Sequence, residues 1–150
     1  MEKYLVFSVE NDYFAITIEK VREIIRFETI TPVRDALEYI KGVINLRGKI
    51  IPIYDLRSKF GMEEKAYNEM TVFVIVEIQN DAEHYNVGLA VDAVHEVVDI
   101  SETDVQQAPE VGLKMKSQYL HGVINIDGTL AMILELNKII NAQEIIPLME

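Results

Sequence analysis

The chain of 150 residues contains no cysteine. That excludes a disulfide scaffold, a thiolate metal site and a cysteine nucleophile. Basic residues are scarce, 14 Lys and Arg against 25 Asp and Glu, for a net charge of −11. Nucleic acid calls for a basic footprint, so it is not an expected partner. No apolar run approaches the roughly 18 residues of a membrane span. The opening Met1-Glu2-Lys3-Tyr4 carries an acid early and has no signal-peptide pattern. The expectation is a soluble, cytoplasmic protein with no direct membrane insertion. There is no glycine-rich phosphate loop, nucleophile elbow or zinc-protease helix. His84, His95 and His121 stand apart, outside any metal-binding spacing. No catalytic residue, metal site or cofactor is therefore expected, and the chain reads as a binding module.

What is present points to sheet. Apolar residues make up 49%, and 20 Ile with 16 Val lead them. β-Branched side chains at that density suit strands better than helix bundles. Tyr4 to Val9 reads as a strand, Glu10-Asn11-Asp12 as its turn and Tyr13 to Ile18 as the returning strand. Val21, Ile24 and Ile25 fit either a helix turn or a strand, as do Val94 to Val98. Strands are expected over 42–46 and 49–54 about a tight turn at Arg47-Gly48, with Pro52 marking an edge or a bulge. Asp55 suits the N-cap of a short helix over about 56–60. Residues 62–69 read as polar loop. Two longer strands follow, Thr71 to Gln79 and Tyr85 to Val91.

Part of the chain repeats. At an offset of 80, Tyr39, Gly42, Val43, Ile44, Asn45, Gly48, Ile53 and Leu56 recur as Tyr119, Gly122, Val123, Ile124, Asn125, Gly128, Ile133 and Leu136. At an offset of 73, Val21 and Glu23 recur as Val94 and Glu96. A duplicated β unit implies two small sheets or barrels about a pseudo-twofold axis, with a groove between them. Gly48 and Gly128 fall in hairpin turns where positive φ is needed, and Gly42 and Gly122 begin strands where backbones pack closely. The expected subdomains span approximately 1–68 and 69–150, with strand exchange between them possible. Residues 1–68 hold 11 bases and 11 acids, whereas residues 69–150 hold 3 and 14, so the second half carries the whole −11. Such a split suits two halves that face different partners.

The segment Gly42-Val43-Ile44-Asn45-Leu46-Arg47-Gly48, followed by Ile51-Pro52-Ile53-Tyr54-Asp55-Leu56-Arg57, resembles the signature of the CheW family of bacterial chemotaxis. Tyr4-Leu5-Val6-Phe7, Val21-Arg22-Glu23-Ile24 and Ala108-Pro109-Glu110 resemble it too, in order and spacing. The resemblance implies an all-β fold with a few short helices, built as two five-stranded barrels in pseudo-twofold arrangement. It implies a non-enzymatic adaptor between the histidine kinase CheA and the cytoplasmic tips of methyl-accepting chemoreceptors. If the chain is complete, the stand-alone adaptor is favoured; an excised fragment leaves open the CheA regulatory domain and CheV. A small-molecule-sensing β module and a carboxylate-dependent hydrolase are the readings from other classes. By resemblance, Arg47 pairs with Glu23 near the receptor surface. By resemblance and pattern, Val21, Ile24, Val43, Ile44, Val94 and Val97 are candidates for an apolar receptor groove. The resemblance also places the kinase on the second barrel, where Glu102, Asp104 and Glu110 are candidate rim charges. The second copy departs from the signature, with Asp127 at the place of Arg47 and Met132 at that of Pro52.

Overall fold

A computed structural model describes residues 1–107 and 117–149. Ten strands form two five-stranded sheets. They are β1 (Glu2–Val9), β2 (Asp12–Thr17), β3 (Val21–Arg26), β4 (Ile40–Leu46) and β5 (Lys49–Asp55), then β6 (Val72–Asn80), β7 (Glu83–Val91), β8 (Ala93–Ile100), β9 (Leu120–Ile126) and β10 (Thr129–Leu134). Three helices of four residues each, α1 (Leu56–Lys59), α2 (Leu136–Ile139) and α3 (Ala142–Ile145), follow β5 and β10. The two ambiguous segments are strands β3 and β8. Each meets a register shift, opposite Val76–Ile75 and Val6–Phe7 respectively. The shift breaks the alternation in β8, whereas in β3 burial still alternates and the ambiguity comes from Ile24 standing on the exposed face.

Sheet I has the order β8-β1-β2-β10-β9 and sheet II the order β3-β6-β7-β5-β4. Each position in one has its counterpart in the other. Two antiparallel hairpins are joined through one short parallel ladder, Ala131–Ile133 on Tyr13–Ala15 in sheet I and Ile53–Asp55 on Gly88–Ala90 in sheet II. The strands cross over between the sequence repeats. The hairpin β1–β2 joins β8, β9 and β10, and the hairpin β6–β7 joins β3, β4 and β5. Residues 69–150 consequently supply strands to both sheets, and their acids are spread over both.

Strand alternation divides the apolar side chains into three cores. Leu5, Phe7, Val9, Phe14 and Ile16 of sheet I face Val74, Val76, Ile78, Val87 and Leu89 of sheet II in a shared centre. The opposite parity of the same strands fills a private core under each sheet: Tyr4, Val6, Ala15, Ile124 and Ile133 in sheet I, and Ile44, Ile51, Ile53, Phe73 and Ile75 in sheet II. Both faces of the inner strands are thus buried, which is why they read as unbroken apolar runs.

Pro52 departs from its expected place. β5 lies inside sheet II, between β7 and β4, and the β4–β5 register shift falls between Ile40 and Gly42. Proline is tolerated because the parallel ladder to β7 begins one residue later, at Ile53, so no ladder donor is lost on that side.

Candidate functional site

The hairpin turn of β4–β5 shows how local sequence sets the site. Arg47 and Gly48 both take positive φ, 52° and 86°, which matches the twist of the flanking strands. The Asn45 side-chain oxygen accepts from the Gly48 amide at 2.9 Å and fixes the turn. The β9–β10 turn repeats this with Asp127 at 50°, Gly128 at 91° and Asn125 accepting from Gly128 at 2.8 Å.

The turn aims Arg47 at Glu23. Nη1 donates to Oε1 at 3.0 Å and Nη2 donates to Oε2, a two-pronged contact between planar groups. The hydrogen bond from Arg47 holds the Glu23 carboxyl below the usual carboxylate range. Glu23 lies on β3 and Arg47 adjoins β4, at opposite edges of sheet II. The pair therefore forms only because the sheet curls until its edges meet, and it acts as a latch there.

Ile24 is 45% exposed beside the latch, and its repeat mate Val97 is 49% exposed on β8. Val21 and Val94 are half-buried against the shared core, and Val43 is half-buried. Ile44 corrects an expectation. It is only 3% exposed, within the private core of sheet II, because alternation turns it away from Val43. It offers no surface to a partner. Glu102 and Asp104 lie in a single 3-10 turn after β8, both exposed. Glu110, with the Ala108-Pro109-Glu110 segment, falls outside the described residues. Gly42 and Gly122 lie where a neighbouring segment crosses closely. A Cβ on Gly42 would come within 2.2 Å of the Thr31 carbonyl oxygen, and one on Gly122 within 2.7 Å of that of Gln106.

Three features have no local sequence signal. The Arg57 side chain is 5% exposed and holds two carboxylates, Glu10 of the β1–β2 turn and Asp92 between β7 and β8, the latter at 2.6 Å. Asp92 also accepts from the Glu10 amide at 2.7 Å. This knot ties the two sheets where the chain passes between them. Tyr67, in the stretch read as polar loop, donates its hydroxyl to Asp55 at 2.5 Å, while Asp55 caps α1 by accepting from the Ser58 amide. Burial, then the hydrogen bond to Asp55, pushes the Tyr67 phenol up. His121 lies between Glu102 and Glu135, at 3.0 and 3.1 Å. Among the described residues no group of His, Asp and Glu could hold a metal ion. Among them, too, no helix is long and apolar enough to cross a membrane.

A family model described as "CheW-like domain" matches residues 3–144. The "Chemotaxis protein CheW" of Klebsiella aerogenes is 31% identical over 143 residues, covering 95% of this chain and 84% of that protein. The protein of the same description from Rhizobium meliloti is 31% identical over 93% of this chain and 88% of its own length. The crystal structure of the scaffolding protein TtCheW from Thermoanaerobacter tengcongensis matches with a TM-score of 0.80 and 34% identity, over 90% of this chain and 84% of that one.

Proposed function

The chain belongs to the CheW-like family, and on that premise we propose that it couples chemoreceptors to a CheA-type histidine kinase in the cytoplasm, without catalysis of its own. The chain is a chemotaxis coupling adaptor of the CheW type; the pairing of its surfaces with named partners is the proposal. Sheet II takes the receptor. The observation that supports this is the Glu23–Arg47 latch with Ile24 exposed at its side, a rigid charged pair next to an unpartnered aliphatic side chain. A helical hairpin presents apolar anchors with polar flanks, and this combination receives both. Val21 and Val43 extend the apolar part on sheet II, and Val94 and Val97, on β8 of sheet I, are candidates on the other sheet. Sheet I takes the kinase, with Glu102 and Asp104 as rim charges that act chiefly on the association rate.

The test is Arg47→Ala in a pull-down with a receptor cytoplasmic fragment and with the kinase. Circular dichroism is expected to be unchanged, because Arg47 is exposed and its turn is held by Asn45. Receptor capture is expected to fall at least roughly tenfold, in the range of a lost charged interface contact, while kinase capture stays. Equal capture of the receptor by the folded variant would remove the latch from the reading.

A further inference from the structure

The duplication supplies its own template for an open site. Ile53 pairs with Gly88 in sheet II as its repeat mate Ile133 pairs with Ala15 in sheet I. The ladders on either side then equate Phe73 with Tyr4, Ala90 with Thr17 and Asp55 with Glu135. In sheet II this place is narrowed from within to a cavity of about 110 Å³ lined by Asp55, Tyr67 and Ala90. The Tyr67 ring packs edge-on against Phe73, with centroids 6.1 Å apart, and its hydroxyl reaches Asp55. Lys65 lines the same place, two residues earlier in the chain. In sheet I the corresponding place is a cavity of about 270 Å³, lined by Tyr4, Thr17 and Glu135 together with Glu2, Glu102 and His121. That is room for a side chain rather than for a drug-sized ligand of roughly 300–1,000 Å³.

We infer that this cavity receives a tyrosine side chain from an extended segment of a partner protein, with its hydroxyl donating to Glu135 as Tyr67 donates to Asp55. His121 meets Glu102 and Glu135 through one oxygen of each, which leaves Glu135 Oε2 to accept, and Glu2 adds a third carboxylate to a lining whose other basic group is Lys20. The partner segment therefore carries a basic residue beside the tyrosine, as Lys65 precedes Tyr67. The segment 108–116 of this chain holds no aromatic residue and so does not supply the ring. The site is separate from the latch and from Ile24, and it stands whether or not those bind a receptor.

The probe is the end-blocked tetrapeptide Lys-Ala-Tyr-Asn, the sequence of residues 65–68, titrated into the isotope-labelled full chain and followed by amide chemical shifts. Saturable shifts are expected at Tyr4, Thr17, His121 and Glu135. Replacing the peptide tyrosine by phenylalanine is expected to weaken binding roughly ten- to a hundredfold, as loss of one hydrogen bond to a charged group does. Glu135→Gln in the protein is expected to weaken the tyrosine peptide and to leave the phenylalanine peptide unchanged. Shifts centred on Asp55 and Asp92, equal affinity of the two peptides, or no saturable shift would each overturn the inference. The comparison of two peptides on the unaltered protein needs no variant to fold.

Discussion

Sheets I and II share strand order, register shifts and turn geometry, yet their charged side chains differ at every place where charge could close them. Opposite edges of sheet II are latched by Arg47 and Glu23. The same two positions in sheet I hold Asp127 and Glu96, two acids that line one cavity of about 250 Å³. Arg57 knots Glu10 to Asp92, while its repeat mate Asn137 is exposed and makes no ion pair with a described residue. Asp55 takes the hydroxyl of Tyr67, whereas Glu135 meets His121 through one oxygen. Residues that serve the backbone, Asn45 and Asn125 or Gly42 and Gly122, are kept in both copies. Duplication thus preserved what the chain path requires and released what side chains do, so the turn and edge that an Arg–Glu pair closes in sheet II carry two acids in sheet I.

The sharpest probe of this contrast is a methyl group at the paired glycines. Gly42 has φ of 145° and no room before the Thr31 carbonyl, so Gly42→Ala is expected to cost about 3 kcal/mol in urea unfolding. Gly122 lacks the unfavourable φ, and Gly122→Ala is expected to cost about 2 kcal/mol from crowding alone. Equal costs would mean that the two crossings are equally strained. Next comes the knot. Arg57→Leu leaves two carboxylates facing each other without a cation. The expected loss is about 2 kcal/mol, below the figure for a fully buried pair because Glu10 and Asp92 are partly solvated. Asn137→Leu at the matching position is expected to change stability by less than about 0.5 kcal/mol.

Tyr67→Phe keeps the ring in place and removes only its hydrogen bond to Asp55. A loss of about 1–2 kcal/mol is expected at neutral pH, from the bond to the Asp55 carboxylate. The sign of the pH effect follows from the phenol. Its value in the folded protein lies above the ordinary value of about 10, so its contribution is fully present below that pH and is lost as pH rises further. Unfolding measured at roughly pH 8 and 10.5 should show the wild type losing more stability than the phenylalanine variant. The smallest effect is a gain. Asp127→Arg places a cation opposite Glu96 and copies the latch into sheet I, for about 0.5 kcal/mol at most, as for other exposed pairs. A loss instead would show that sheet I cannot bring its edges together.

The sequence carried the strands and their turns well, because alternation and the Asn-x-x-Gly turns are local signals. The repeat carried the pseudo-symmetry. Families of contacts between distant residues were not legible. Arg57 lies 47 residues from Glu10 and 35 from Asp92, and nothing near it distinguishes a buried tether from a solvated helix residue. Tyr67 was hidden by the polar residues on either side of it. Ile44 was included among the groove candidates because its adjacency to Val43 conceals that the two point to opposite faces. Pro52 suggested an edge because the sequence does not show that the ladder on its far side starts one residue later.

The crossing of strands between the repeats has a consequence for synthesis. The hairpin β1–β2 finds its sheet partners only at β8, where Glu2 faces Ile100, and at β10, where Tyr13 faces Ala131. A ribosome adding about 5–20 residues per second needs on the order of ten seconds between those points. Throughout that interval both outer edges of the first hairpin lack their native neighbours, and Leu5, Phe7, Phe14 and Ile16 lack the sheet that covers them. Two nascent chains close together on one messenger could satisfy each other's hairpins, so the crossing that locks the finished protein also opens a route to exchanged dimers.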